Sequence, residues 1–85
     1  MSTRPIVVRD PVAIGRALRD ARRLHGWTQQ QLAVQAGVGQ PTVSNVERGT
    51  TNTPVGSLLR ILAALGLDLA VLPRRRTDAG AAWDD

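Results

Sequence analysis

The stretch GWTQQQLAVQAGVGQPTVSNVERG, residues 26–49, decides the reading of this 85-residue chain. Gly26, Gly37 and Gly49 punctuate it as helix stops, and two short helices fit between them, about Gln29 to Ala36 and about Gln40 to Arg48. Thr28 and Gln31 stand at capping-box spacing, and Trp27 before the cap can pack on Leu32 as a hydrophobic staple. Gly39 gives the second helix no capping side chain. Pro41 is tolerated in that helix's first turn, where its missing N–H would have had no partner. Ala33 is small where two helices must cross closely, and Leu32, Val43 and Val46 fill the space beneath. On the second helix Val43, Val46 and Glu47 share an inner face. Gln40, Pro41, Ser44, Asn45 and Arg48 are left outward.

Two short helices joined by a glycine turn, about 29–48, have the size of a helix-turn-helix. The outer face suits base reading: Gln and Asn can meet adenine N6 and N7 with two hydrogen bonds, Ser donates or accepts, and a Pro ring can touch a thymine methyl. Gln40, Pro41, Ser44 and Asn45 are therefore the candidate base contacts; for an isolated helix the same pattern would describe only a solvated face. Glu47 is the only Glu in the chain and lies on an apolar face, where an unpaired carboxylate is costly. Arg22, at the edge of the preceding helix's apolar stripe, is its expected structural partner. Thr28, Arg48, Thr50, Thr51 and Asn52 are candidate phosphate contacts, because the loop after the second helix lies where a nucleic-acid backbone would pass.

Working outward, an earlier helix spans about Pro11 to His25, with Asp10 as cap, Pro11 at the first position and Gly26 as stop. Ile14, Ala17, Leu18, Ala21 and Leu24 form its apolar stripe. Arg16, Arg19 and Arg23 point away, a solvated face or a set of further phosphate contacts. A later helix starts with Thr53 as cap and Pro54 at the first position, carries Leu58, Leu59, Ile61, Leu62 and Leu65, and stops at Gly66. Its apolar density marks it as the most buried of the four. Ile6-Val7-Val8 and Leu67 to Leu72 read as short strands bounded by Pro5 and Pro73, with Leu67, Leu69 and Val71 alternating on one face. Strands this short need a partner, so they are expected to pair with each other or across a dimer.

Composition sets the bounds. A chain of this size buries only ~60–65% of its unfolded surface, so extra apolar segments serve a second chain. Eleven basic residues, all Arg, oppose six Asp and one Glu, a formal net charge of +4 that suits a polyanion. The excess lies early: residues 1–26 hold six Arg and two Asp. With no Cys, one His and no Lys or Tyr, thiolate metal sites, disulfides and most general-base chemistry are excluded, so neither an enzyme nor a cofactor is expected. The absence of an 18-residue apolar run and of a signal-peptide pattern points away from membranes and to the cytoplasm, at the nucleoid when bound to DNA.

Residues 26–49 resemble the helix-turn-helix of the Cro/C1 (XRE) repressor family, through Thr28-Gln29, Leu32-Ala33, Gly37-Val38, Val43-Ser44 and Glu47-Arg48-Gly49. The resemblance covers roughly residues 11–66. It implies that Gln29 binds a phosphate, that Gln40, Pro41, Ser44 and Asn45 face bases, and that Arg22 and Glu47 pair. Residues 59–75, where a strand replaces the fifth helix of phage repressors, look like the HipB antitoxins. That likeness implies a homodimer on a palindromic operator, autorepression, and binding of a HipA-like serine/threonine kinase toxin.

The expected architecture is mainly α, a four-to-five-helix repressor-like domain whose C-terminal strand, with a short N-terminal one, forms an intersubunit sheet. Residues 1–73 make up the DNA-binding and dimerisation domain, and 74–85 a flexible tail. In that tail Arg74, Arg75 and Arg76 read equally as a solvated run or a phosphate arm. Trp83 reads as a loosely packed side chain or as an anchor entering a pocket on the toxin. Two rivals stand beside the antitoxin reading: a stand-alone phage-type repressor, and a protein-interaction module that inhibits an enzyme without binding an operator.

Overall fold

The computed structural model describes residues 5–50 and 52–74. Among them it places four helices: α1 (Pro11–Leu24), α2 (Gln29–Ala36), α3 (Gln40–Glu47) and α4 (Val55–Ala64). The Asp10 carboxylate accepts from the Ala13 N–H at 2.8 Å, which starts α1. His25 ends that helix, and Gly26 carries the chain onward at φ 72°. At α2 the capping box is complete: the Thr28 hydroxyl accepts from Gln31 N–H at 3.1 Å, and Gln31 Oε1 accepts from Thr28 N–H at 2.8 Å. Gly37, left-handed at φ 71°, closes α2 while the Val38 N–H reaches back to the Ala33 carbonyl at 3.1 Å. Gly39 caps α3 without a side-chain hydrogen bond, and Arg48 terminates it.

Each helix supplies one fully buried large side chain: Leu18 from α1, Leu32 from α2, Val43 from α3 and Ile61 from α4. Ala33, Ala36, Val46 and Leu65 complete the buried core, with Trp27 partly buried against it. α3 packs on both α1 and α2, and α2 also packs on α4. Gly15 permits the α1–α3 approach. A Cβ there would stand 2.5 Å from the Val46 carbonyl oxygen and 2.7 Å from that of Glu47. Gly49, at φ 80°, brings the chain against Val12 of α1 in the same way, so a missing side chain at each end of the contact sets how deeply α3 sits.

Several expectations need correction. α4 begins one residue later than the Thr53 cap implies: Pro54 itself is the N-cap, with no side-chain hydrogen bond, because proline's fixed φ serves as well at the flanking position. α4 is also not the most buried helix. Only Ile61 within it is buried, and Leu59 remains 43% exposed. Leu24, in the apolar stripe of α1, is 85% exposed. One cause accounts for Leu24 and for the half-buried Leu58 and Leu62 of α4, while Leu59 lies outside it. Between α1 and α4 runs an open groove of about 1370 Å³, walled by Ile14, Ala17, Leu58 and Leu62 and flanked by residues 5–9 and 66–74, with Leu24 on its lip. Neither Ile6–Val8 nor Leu67–Leu72 forms a strand within the single chain, since a ladder needs a second backbone and neither segment supplies it for the other. Leu69 and Val71 stand exposed.

Candidate nucleic-acid interface

The outer face of α3 is held by a chain of polar contacts that begins on α1. Glu47 is 5% exposed, and its carboxylate accepts from Arg22 Nε at 2.6 Å and Nη2 at 3.0 Å, a bidentate pair. The remaining Arg22 nitrogen, Nη1, donates to the Trp27 carbonyl oxygen at 2.8 Å. One guanidinium thus ties α1, the entry to α2 and the end of α3. Burial pushes the Glu47 carboxyl up, but the hydrogen bonds from Arg22 and Gln29 outweigh it, and the carboxyl lies below its ordinary value of 4.5. The hydrogen bond to Glu47 raises the Arg22 guanidinium in turn.

Gln29, in the first turn of α2, donates from Nε2 to Glu47 Oε1 at 3.1 Å and accepts at Oε1 from Gln40 Nε2 at 2.8 Å. Both ends of its amide are engaged inward, with the second Nε2 hydrogen left over to donate. Gln40 and Ser44 are half-buried and Pro41 exposed, all along α3. Asn45 accepts at Oδ1 from Arg48 Nη2, and its backbone carbonyl accepts from Thr50 Oγ1 at 2.9 Å. Thr28, Arg48, Thr50 and Asn52 are exposed around the same edge. Thr28 spends its hydroxyl oxygen on the cap and keeps its O–H to donate. Thr51, Arg75, Arg76 and Trp83 lie outside the described residues.

The resulting surface has a neutral, amide-lined centre on α3 with hydroxyls and a guanidinium at its rim. Among the described residues no group of His, Asp or Glu could hold a metal ion, and no helix is long and apolar enough to cross a membrane. A helix-turn-helix family model matches residues 18–72, which contain α2, α3 and α4 whole. The chain belongs to the helix-turn-helix family. It is an XRE-type member, a class of DNA-binding proteins and not of enzymes. An uncharacterised HTH-type transcriptional regulator of Haemophilus influenzae is 38% identical over 68 residues, 80% of this chain and 69% of the relative. Antitoxin HipB of Escherichia coli O6:H1 is 32% identical over 72 residues, 85% of this chain and 77% of the relative. In three dimensions a chain of a HipA-HipB-O2-O3 complex superposes with TM-score 0.75 at 30% identity, covering 84% of this chain and 100% of that one.

Three members of this helix-turn-helix framework escape reading from the sequence. Gly15 carried one signal, a glycine inside a helix where it costs stability, which makes sense only at a close approach. His25 stacks on Trp27 with ring centroids 4.5 Å apart, and its Nε2–H donates to the Leu65 carbonyl at 3.0 Å. It thereby joins the ends of α1 and α4, 40 residues apart, with nothing local to announce it. The Gln29–Gln40 contact likewise gives no sign in spacing alone.

Proposed function

We propose that this chain is a sequence-specific DNA-binding autorepressor and the antitoxin of a toxin–antitoxin pair, a homodimer that binds a palindromic operator and a HipA-like serine/threonine kinase. One observation carries the reading: α3 turns a neutral, amide-lined face outward on a helix anchored from behind by a buried ion pair. Gln40, Pro41, Ser44 and Asn45 then enter the major groove and read base edges. The first turn of α2, with Thr28 and Gln29, and the rim residues Arg48, Thr50, Thr51 and Asn52 meet phosphates on either side. The likeness to HipB supports the antitoxin assignment.

The open groove between α1 and α4 supports the dimer. Leu67, Leu69 and Val71 gain a backbone partner and lose exposure when residues 67–72 pair as strands with those of a second chain, the segment 6–8 adding to the sheet. Two α3 helices related by such a two-fold axis read half-sites about 34 Å apart or a multiple of it. Residues 1–73 form this unit, and 74–85 extend from it, offering Trp83 to the kinase. The protein acts in the cytoplasm, at the nucleoid when bound.

The test is a mobility-shift series on the DNA upstream of the protein's own reading frame. Gln40→Ala combined with Asn45→Ala abolishes sequence preference; unchanged affinity and preference refute readout by α3. Deleting residues 79–85 leaves operator binding intact and weakens capture of the kinase encoded beside it. Equal loss of both removes Trp83 from the kinase contact.

A further inference from the structure

The hydrogen bonds behind α3 have a direction. A carboxylate only accepts, so the group that meets Glu47 Oε1 at 3.1 Å from α2 must be the Gln29 amide nitrogen. The Gln29 carbonyl is thereby turned to Gln40, whose Nε2 donates to it at 2.8 Å. With its nitrogen drawn toward α2, Gln40 keeps Oε1 free of hydrogen bonds among the described residues. No buried side-chain polar atom among them lacks a partner, so that oxygen is open to solvent. At Asn45 the arrangement is reversed. Arg48, which has donors and no acceptor, holds Oδ1 and leaves Nδ2 free.

We propose that Glu47 and Arg48 set opposite hydrogen-bond polarities on the two amides of α3, Gln40 facing outward as acceptor and Asn45 as donor, and so fix which base edges each reads. This rests on the DNA-binding reading above. Among major-groove edges an outward acceptor selects an exocyclic amine, adenine N6 or cytosine N4. Gln40 keeps one Nε2 hydrogen beyond the one given to Gln29, so adenine, with N7 beside N6, satisfies it best. An outward donor at Asn45 meets guanine O6 or N7, thymine O4, or adenine N7 by a single bond. With Oδ1 occupied, Asn45 is denied the two-bond contact with adenine that a free Asn makes. Glu47 touches no base in this scheme: its side chain is 3% exposed, and it is a positioning residue acting through Gln29.

Glu47→Gln tests the relay, because an amide at 47 can donate or accept and Gln29 is released to flip. Gln29→Leu interrupts the relay with the Arg22–Glu47 pair intact, and it covers the case in which Glu47→Gln fails to fold. Duplexes are selected from a pool with a randomised centre using the wild-type protein, and every single-base substitution is then measured by fluorescence anisotropy. Wild type discriminates at the Gln40 position on the order of tenfold or more. Both variants lose most of that preference there and keep the preference at the Asn45 position. A uniform weakening of all duplexes, with preferences unchanged, overturns the proposal and leaves Glu47 a purely structural group. The side-chain amide resonances of Gln29 and Gln40 in the free protein give an arm independent of DNA. They move to solvent-exposed positions in Glu47→Gln, and unchanged resonances overturn the relay. A wild-type protein without any duplex preference refutes the operator reading, while this arm still judges the relay.

Discussion

Replacing Gly15 with alanine adds one methyl group at the place where α1 and α3 lie closest. The added Cβ would meet two backbone oxygens, at 2.5 and 2.7 Å, where 3.4 Å is ordinary contact. α3 has to withdraw by about 0.9 Å, and neither oxygen belongs to a side chain that can swing away. Overpacking of this kind costs ~1–3 kcal/mol, and rigid backbone on both sides puts this site at the upper end. Alanine returns ~1 kcal/mol of helix propensity, so the net loss is about 2 kcal/mol. Gly56, in the first turn of α4, is the control, since a Cβ there meets nothing within 4 Å. Gly56→Ala gains ~0.4–1 kcal/mol. The same chemical change thus takes opposite signs. For a domain of this size the melting temperatures move down by about 10 °C and up by about 4 °C. Urea titrations followed by far-UV circular dichroism, at one fixed protein concentration, read the two free-energy changes, and thermal melts read the two temperature shifts. Two shifts of the same sign, or a Gly15→Ala protein as stable as wild type, refute the close approach of α1 and α3.

Four further outcomes follow, three from the contacts around α3 and α4 and one from the segment after α4. Glu47→Ala strands the Arg22 guanidinium and costs about 3 kcal/mol, whereas Glu47→Gln, which retains a hydrogen-bonding amide, costs less; paired urea titrations check the order. Because the Glu47 carboxyl is lowered from 4.5 in the folded chain, its stabilisation is complete above that value and is lost as pH falls through the lowered one. Unfolding midpoints of wild type and Glu47→Gln therefore converge in acid, and a gap that widens on acidification contradicts the assignment. His25→Ala removes both the bond to Leu65 and the stack on Trp27. It costs ~1–2 kcal/mol and raises hydrogen exchange at the C-terminal end of α4 before that of α2, as exchange mass spectrometry resolves. Deleting residues 67–72 yields monomers by sedimentation with weakened operator binding. A full-sized dimer without them removes that segment from the interface.

The four helices could be read from the sequence because their ends are written in local chemistry. Asp10, Thr28 with Gln31, and the left-handed Gly26, Gly37 and Gly66 act within a few residues of where they stand. Pro54 misled by one residue, since proline's φ suits a flanking position as well as a first helical one. The burial of α4 was overestimated for another reason. Periodicity reports which side chains are apolar, and it does not say whether their cover comes from the same chain. Glu47 stood out as a lone carboxylate on an apolar face. Gln29 and Gln40 stood out as candidate DNA contacts, but their contact with each other did not, because the direction of an amide is imposed by partners brought together only when α2, α3 and the Arg22 side chain are in place. His25 lay beyond sequence reasoning because its acceptor is a backbone carbonyl, which every residue carries.

The contribution of one large side chain per helix to a single core bears on how the molecule comes apart. Leu18, Leu32, Val43 and Ile61 share one cluster, so no helix can leave without uncovering residues that the others bury. The turn that joins α2 to α3 has no private reserve of stability. Amide protons in the middle of all four helices are then released by one common opening, and a protease that cuts between α3 and α4 destroys the whole domain instead of liberating a smaller working one.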